Sequence, residues 1–151
     1  DYIASSFNNI LLLVSRQQQN GENYTVTIPE EIEMAVSYFN ENYNTKISVA
    51  QYAESLHIST NWFIRNFKQH MKMSPAQYLL SLRMVNAQSL LENTDYSVGE
   101  IAEIVGYDNQ LYFSRVFKKE YGISPAQYRK RAENQSAAPM EADVGEITRE
   151  D

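Results

Sequence analysis

Apolar residues recur at intervals of three and four positions along most of the chain, which is the spacing of one face of an α-helix. Near the start, Ile3, Phe7, Ile10 and Val14 follow this spacing. Between residues 48 and 131 no stretch alternates apolar and polar residues one by one, as a half-buried strand would. The pattern therefore predicts an all-α fold with an amphipathic helix near the start of the chain.

Residues that interrupt helices divide the chain into segments. Asn20, Gly21 and Pro29 end the first stripe and predict a linker over residues 21–29. A new helix is expected from about Pro29, because proline is tolerated in a first helical turn and the acidic residues that follow favour the positive end of the helix dipole. The side of this helix predicted to be buried holds Ile32, Ala35, Val36 and Phe39.

One sequence motif occurs twice in the chain. Residues 62–78 read WFIRNFKQHMKMSPAQY and residues 112–128 read YFSRVFKKEYGISPAQY. From Phe63 to Tyr78, an offset of fifty gives nine identities in sixteen positions, and upstream, from Ser48, the offset becomes forty-nine. The chain is therefore predicted to hold two related units in tandem, with one extra residue in the turn of the second.

Each copy predicts two short helices joined by a tight turn, which is a helix-turn-helix. The turns are expected at His57–Ile58 in the first copy and at Gly106 in the second. Serine followed three residues later by an amide or an acid has the form of a capping box. The predicted caps are Ser48 and Ser97 for the first helices, and Ser59 and Asp108 for the second helices.

The second helix of each copy is predicted to have an apolar side and a polar side. At about 100° per residue, Phe63 lies beside Phe67, and Phe113 lies beside Phe117. Asparagine pairs with adenine edges, and arginine pairs with guanine edges or phosphates. These helices are therefore predicted to be recognition helices for the major groove of DNA. Their outward sides hold Asn61, Arg65 and Lys68 in the first copy, and Leu111, Arg115 and Lys118 in the second.

A long helix is predicted between the two units. The stretch after Pro75, PAQYLLSLRMVNAQSLLEN, offers roughly eighteen uninterrupted helical residues, or about 27 Å of helix. Major grooves on one face of DNA recur every ~34 Å. One chain is thus predicted to supply two half-site readers for successive grooves of one duplex.

Charge is distributed unevenly. The whole chain has a net charge of −6, yet residues 46–131 hold eleven Lys and Arg against seven Asp and Glu, a net charge of +4. Residues 1–45 and 132–151 each have a net charge of −5. A basic middle segment between acidic ends is compatible with an acidic partner such as DNA.

Several classes of function are excluded. The chain holds no cysteine, which excludes disulfides and thiolate zinc sites and fits a reducing, cytoplasmic setting. His57 and His70 have no second ligand at a useful spacing, so no enzyme activity, metal or cofactor is expected. No apolar run approaches the ~20 residues that span a bilayer. The chain begins at Asp1 with neither a methionine nor a secretory pattern, as expected of a piece of a longer protein.

From Glu31 to Arg131 the chain resembles the DNA-binding domain of AraC/XylS-type transcription regulators. The most specific part of this resemblance is IAEIVGYDNQLYFSRVFKKEYGISPAQYRK, and LRMVNAQSLL also fits. The resemblance implies seven helices in two helix-turn-helix subdomains joined by a long helix, acting on a promoter or operator in bacteria. It also implies a separate domain that binds a small-molecule effector or forms a homodimer, and contact with RNA polymerase.

The resemblance also indicates contact positions. In the first recognition helix they fall on Thr60, Asn61, Ile64 and Arg65, and in the second on Asn109, Gln110, Leu111, Ser114 and Arg115. Lys68 and Lys118 join them as phosphate-facing cations. Ile64 and Leu111 are apolar and reach only a thymine methyl or a sugar, so part of the specificity is expected to come from DNA shape.

These expectations divide the chain into four parts. Residues 1–20 are expected to be a residual helix of a sensor or dimerisation domain, residues 21–29 a linker, residues 30–131 the DNA-binding domain, and residues 132–151 a disordered acidic tail. Within the DNA-binding domain, the helix-turn-helix units are placed at about 48–70 and 97–120, and the linker helix at about 75–92.

Alternatives stay open at this point. The exposed arginines and lysines are also compatible with ordinary solvated helix faces, and Trp62 with packing rather than with a backbone contact. The basic run YRKR at 128–131 fits either phosphates or a helix end. For the whole domain, the alternative is a helical protein–protein interaction module that has kept the fold without DNA binding.

Overall fold

The computed structural model of the protein describes residues 27–138, and all regular structure in this range is α-helical. The predicted all-α fold, with two helix-turn-helix units and a long helix between them, is confirmed for these residues. The predicted helix over residues 3–14 lies outside them. The seven helices of the described range are α1 (Glu30–Asn42), α2 (Val49–Ser55), α3 (Thr60–Met71), α4 (Pro75–Asn93), α5 (Val98–Ile104), α6 (Gln110–Tyr121) and α7 (Pro125–Ser136).

The first unit consists of α1, α2, α3 and the first half of α4. Its core is aromatic, because Phe39 of α1 packs against Phe63 and Phe67 of α3 with ring centroids 6.4 and 5.8 Å apart. All three rings are fully buried. Burial of each phenylalanine is worth about 1.5–3 kcal/mol. The rest of this core is Ile32, Ala35, Ala53, Met71, Tyr78, Leu79 and Leu82.

The second unit consists of the second half of α4 with α5, α6 and α7. Phe113 and Phe117 of α6 are fully buried. The predicted inward side is therefore confirmed for α6, as it is for α3. The other members of this core are Met84, Ala87, Leu91, Ile101, Ala102, Val105 and Tyr107.

Helix α4 belongs to both cores. Leu82 is its last residue in the first core, and Met84 is its first residue in the second. Arg83 stands between them. The buried apolar side chains therefore lie on different sides of α4 in its two halves. This explains why its sequence shows no single apolar face along the whole helix.

The doubled SPAQY sequence builds the same local structure twice. Ser74 and Ser124 each form a complete capping box with the glutamine three residues on, and a proline follows each serine at the first helical position. The tyrosine of each copy then meets the last buried phenylalanine of the preceding helix edge to face. The ring centroids are 5.6 Å apart for Tyr78 with Phe67 and 5.5 Å apart for Tyr128 with Phe117.

Both helix-turn-helix turns are Schellman motifs, in which one residue adopts the left-handed conformation. In the first unit the amide of Ile58 donates to the carbonyl of Ala53 at 3.1 Å, and in the second unit the amide of Tyr107 donates to Ala102 at 2.8 Å. The left-handed residue is His57 in the first turn, with φ 57°, but Gly106 in the second, with φ 97°.

The end of the recognition helix repeats this difference. Lys72 ends α3 with φ 62°, whereas Gly122 ends α6 with φ 80°. A left-handed residue with a Cβ costs roughly 1–2 kcal/mol, which glycine avoids. The first unit thus carries this cost at two positions where the second unit has glycine.

Two sequence expectations need correction. Helix α7 continues to Ser136, beyond the boundary predicted at 131, so residues 132–136 are helical rather than part of a disordered tail. The capping box predicted for Ser48 is half formed, because its hydroxyl accepts from the amide of Gln51 while only the box of Ser97 is complete. Residues 139–151 of the predicted tail lie outside the described range.

We expect Lys72→Gly to stabilise the protein by about 0.5–1 kcal/mol, because glycine relieves the left-handed backbone and offsets its own entropic cost. The melting temperature should rise by several degrees in a thermal unfolding experiment. Gly122→Ala is the matched control, since no heavy atom lies within 4 Å of the added Cβ and only the backbone conformation opposes it. It should destabilise the protein, and equal melting temperatures for both variants would contradict this account.

We expect part of the stability to be lost in alkali through Tyr128. Burial, together with the hydrogen bond that its hydroxyl donates to Glu92, raises the pKa of Tyr128 to about 12. The folded-state value lies above that of an unfolded tyrosine, about 10, so this contribution is complete below pH 10 and is lost between about pH 10 and 12. In urea unfolding, Tyr128→Phe should flatten the decline over this range. An equally steep decline in Tyr128→Phe would contradict this assignment.

Candidate nucleic-acid interface

The first predicted recognition helix, α3, presents its polar side to solvent. Its start is set by Ser59, whose hydroxyl accepts a hydrogen bond from the amide of Trp62 at 3.1 Å. The two buried phenylalanines fix its rotation, and Trp62 packs half-buried against the first core. Of the predicted contact residues on α3, Asn61, Ile64, Arg65 and Lys68 are exposed, and Thr60 is half-buried.

The second predicted recognition helix, α6, has the same arrangement. Its inner side is held by Phe113 and Phe117, so the residues between them face outward. The predicted outward orientation is therefore found on both helices. Of the predicted contact residues here, Asn109, Gln110, Leu111, Arg115 and Lys118 are exposed, and Ser114 is half-buried.

The cap predicted at Asp108 is wrong by one residue. Asn109 is the cap of α6, and its Oδ1 accepts from the amide of Tyr112 at 3.1 Å. The extra residue in the second turn displaces the cap, and Asp and Asn are both good capping residues, so the sequence did not discriminate between them. As a result the Asn109 oxygen is occupied, and its NH₂ group is the part that remains to donate to a base or a phosphate.

Asp108 instead forms an ion pair with Lys46. The Lys46 Nζ lies 2.7 Å from Asp108 Oδ2, and both side chains are largely exposed. The hydrogen bond from Lys46 holds the pKa of Asp108 below its ordinary value, and the same bond raises the pKa of Lys46. This pair joins the loop after α1 to the turn before α6.

The four predicted phosphate-binding or base-binding cations have no acidic partner in the described range. Within residues 27–138, the pair of Lys46 with Asp108 is the one ion pair present. No described carboxylate lies within ion-pair distance of these four charges. These cations are Arg65 and Lys68 on α3, and Arg115 and Lys118 on α6.

The start of α6 also exposes two large apolar side chains. Leu111 is 70% exposed and Tyr112 is 60% exposed, more than any other large hydrophobic residue in the described range. Leu111 is in the predicted contact set, but Tyr112 is not. In the repeat Tyr112 corresponds to Trp62, which is half-buried, so the two copies differ at this position.

Gln110 lies over α5, the first helix of its own helix-turn-helix. A Cβ built on Gly99 of α5 would lie 2.9 Å from the Gln110 Oε1. In the first unit the corresponding residues are Ala50 and Thr60, a larger residue facing a smaller one. The second unit therefore combines a smaller residue on the first helix with a longer one on the second. Gly99 makes room for the longer side chain of Gln110 at the start of α6.

Among residues 27–138 no group of three or more His, Cys, Asp and Glu side chains is placed to hold a metal ion. In the same range no helix has the length and apolar character required to cross a membrane.

Comparison with protein families and curated proteins identifies relatives. A helix-turn-helix domain family model matches residues 52–131, more than half of the chain. The chain is 37% identical over 108 residues to the raffinose operon transcriptional regulatory protein RafR of Pediococcus pentosaceus, covering 72% of this chain and 39% of that protein. It is 36% identical over 125 residues to the HTH-type transcriptional activator RhaR of Mannheimia succiniciproducens, covering 83% and 45%. The chain spans less than half the length of these relatives.

Solved structures show the same architecture. The C-terminal domain of AraT, a response regulator from Geobacillus stearothermophilus, matches with a TM-score of 0.67 and 32% identity, over 81% of this chain and 96% of that chain. The DNA-binding domain of AdpA, a global transcriptional factor solved in complex with a target DNA, matches with a TM-score of 0.67 and 28% identity, over 72% and 98%.

We expect Gly99→Ala and Gln110→Thr to be coupled. Alone, Gly99→Ala gains helix propensity but forces Gln110 to move, so its net effect should be small. Combined with Gln110→Thr, which recreates the pair of the first unit, it should stabilise the protein by up to about 1 kcal/mol. Urea unfolding of the two single variants and the double variant measures this coupling. If the changes in the free energy of unfolding are strictly additive, the Gln110 side chain does not lie on Gly99.

Proposed function

Because the chain belongs to the AraC/XylS family of transcription regulators, we propose that it binds promoter DNA by placing α3 and α6 in successive major grooves of one duplex. The family consists of DNA-binding regulators rather than enzymes. The observation that carries this proposal is the repeated exposed face, with cations and amides outward and a phenylalanine pair inward on both helices.

The dimensions of α4 support the placement. Its 19 residues correspond to about 28 Å of helix, which is close to the ~34 Å that separates successive major grooves on one side of a duplex. Each core includes one half of this helix, so each recognition helix packs in a core built on one half of α4.

The polar outward residues have four proposed roles. Arg65 and Arg115 occupy equivalent positions and contact guanine edges or phosphates, whereas Lys68 and Lys118 neutralise phosphates. Asn61 and Gln110 are amides suited to adenine edges, and the NH₂ group of Asn109 donates beside them. Thr60 and Ser114 add shorter hydroxyl contacts at the edge of the interface.

Apolar outward residues supply the rest of the readout. Ile64 is 38% exposed and Leu111 is 70% exposed, and neither forms hydrogen bonds through its side chain. Each is suited to a thymine methyl group, which distinguishes thymine from cytosine in the major groove. Specificity then depends partly on sequence-dependent DNA shape, since hydrogen-bonded readout comes from few side chains.

For the whole protein we propose the partners that the family resemblance implies. A domain outside the 151 residues binds a small-molecule effector or forms a homodimer, and the DNA-bound protein contacts RNA polymerase in the bacterial cytoplasm.

Binding should depend steeply on salt, and the double variant Arg65→Ala with Arg115→Ala should weaken it. If both arginines contact phosphates, the slope of log K against log salt becomes less steep by about 2. If they read bases, affinity falls by roughly tenfold or more per arginine and sequence preference relaxes. Fluorescence anisotropy with duplexes from the promoter region of the protein's own operon measures both quantities.

The double variant Arg65→Lys with Arg115→Lys is the matched control. It keeps both charges, so it should preserve the salt slope while losing any bidentate contact with guanine. Binding that is indifferent to salt and survives the double alanine change would overturn the proposed mechanism.

A further inference from the structure

Besides sharing α4, the two units touch where the loop after α1 meets the turn before α6. A Cβ built on Gly106 would lie 2.9 Å from the carbonyl carbon and oxygen of Asn44, so the two backbones are in direct contact there. Only glycine fits this approach, since φ at Gly106 is also positive. The ion pair of Lys46 with Asp108 lies beside this contact. We refer to this contact, residues 43–46 against residues 106–108, as the junction.

Arg83 connects both sides of the junction to α4. Its Nε donates to the carbonyl of Tyr43 and its Nη2 to the carbonyl of Thr45, each at 2.8 Å. Its guanidinium also lies over the ring of Tyr107, 5.1 Å from the centroid. Tyr107 is part of the second core, whereas Tyr43 packs against the first. One side chain at the midpoint of α4 therefore holds a loop of the first unit and a ring of the second.

The second unit contains a counterpart of Arg83 that lacks the cross-contact. Arg129 of α7 donates to the carbonyls of Leu91 and Thr94, each at 3.2 Å, at the end of α4. In both units an arginine of the last helix thus binds carbonyls at or just beyond the end of the first helix. The feature that distinguishes Arg83 is its position over Tyr107, a residue of the other unit.

We propose that Arg83 is a positioning residue that fixes the angle between the two units and, through it, the half-site spacing that this chain accepts on DNA. The proposal about half-site spacing rests on the proposed function, whereas the proposal about the angle between the units does not. A single helix bends and twists about its axis, so α4 alone leaves the relative orientation of α3 and α6 soft. A second attachment away from that axis removes this freedom.

The angle can be measured without DNA. Because the chain holds no cysteine, Gln69→Cys and Lys119→Cys place one spin label at the same exposed position of each recognition helix. Pulsed electron–electron double resonance on the full chain then gives the distance distribution between the two units. We expect one narrow distribution in the otherwise wild-type chain, and a broad distribution in the wild-type background would overturn the proposal directly.

Arg83→Gln is the test variant, since it removes the cation over Tyr107 and keeps one donor for the loop carbonyls. We expect it to broaden the distribution. Arg129→Gln is the matched control, because it removes the equivalent carbonyl contacts within one unit and should leave the distribution narrow. Circular dichroism establishes folding of each variant. If Arg83→Gln does not fold, Tyr107→Leu removes the same contact from the other side and should broaden the distribution as well.

Equal broadening in Arg83→Gln and Arg129→Gln would indicate a general loss of stability and would overturn the positioning role. An unchanged narrow distribution in Arg83→Gln would do the same.

The spacing is tested with a duplex that the wild-type chain selects from a randomised library. One base pair is then inserted between the two half-sites. The insertion should weaken wild-type and Arg129→Gln binding by about tenfold or more, and Arg83→Gln binding by clearly less. Equal penalties in all three proteins would overturn the link to spacing. Failure of the wild-type chain to select any motif would contradict the proposed function, while the distance measurement would still report on the angle.

Discussion

The burial of α4 in two separate cores is the constraint on which the architecture depends. Its first half contributes Tyr78, Leu79 and Leu82 to one core, and its second half contributes Met84 and Leu91 to the other. Neither unit completes its core without this helix. Folding of either unit therefore requires α4, and the two recognition helices are carried by one continuous element rather than by separate domains on a flexible linker.

The two copies of the repeat share their core residues and only part of their outward sides. The residues identical in both copies include the buried phenylalanines and the SPAQY turn, whose tyrosine packs against Phe67 or Phe117 with nearly the same geometry. The outward sides share an arginine and a lysine but differ beside them, where Asn61 corresponds to Leu111 and Ile64 to Ser114. The same scaffold thus presents two different chemical surfaces, one with a central amide and one with a central apolar residue.

The sequence predicted the helices and their inward sides because these depend on local spacing and capping. The prediction failed where two local solutions had similar energy, as with Asp108 and Asn109 before α6, both good caps. The helical residues 132–136 were missed because their composition is polar, although Arg129 anchors α7 against the end of α4. The contact of Arg83 with Tyr107 had no sequence signal, because its partners lie tens of residues apart and meet only after both units have folded.

The chain order of the two units has a geometric consequence for any operator. Each unit begins with one helix and ends with another. Helix α4 is the last helix of the first unit and the first helix of the second. The two copies follow each other in tandem along one chain, and their outward sides differ, since Asn61 corresponds to Leu111 and Ile64 to Ser114. A site read in this way is not a palindrome. It has a polarity, so a bound monomer points upstream or downstream and presents a different flank to each side of the promoter.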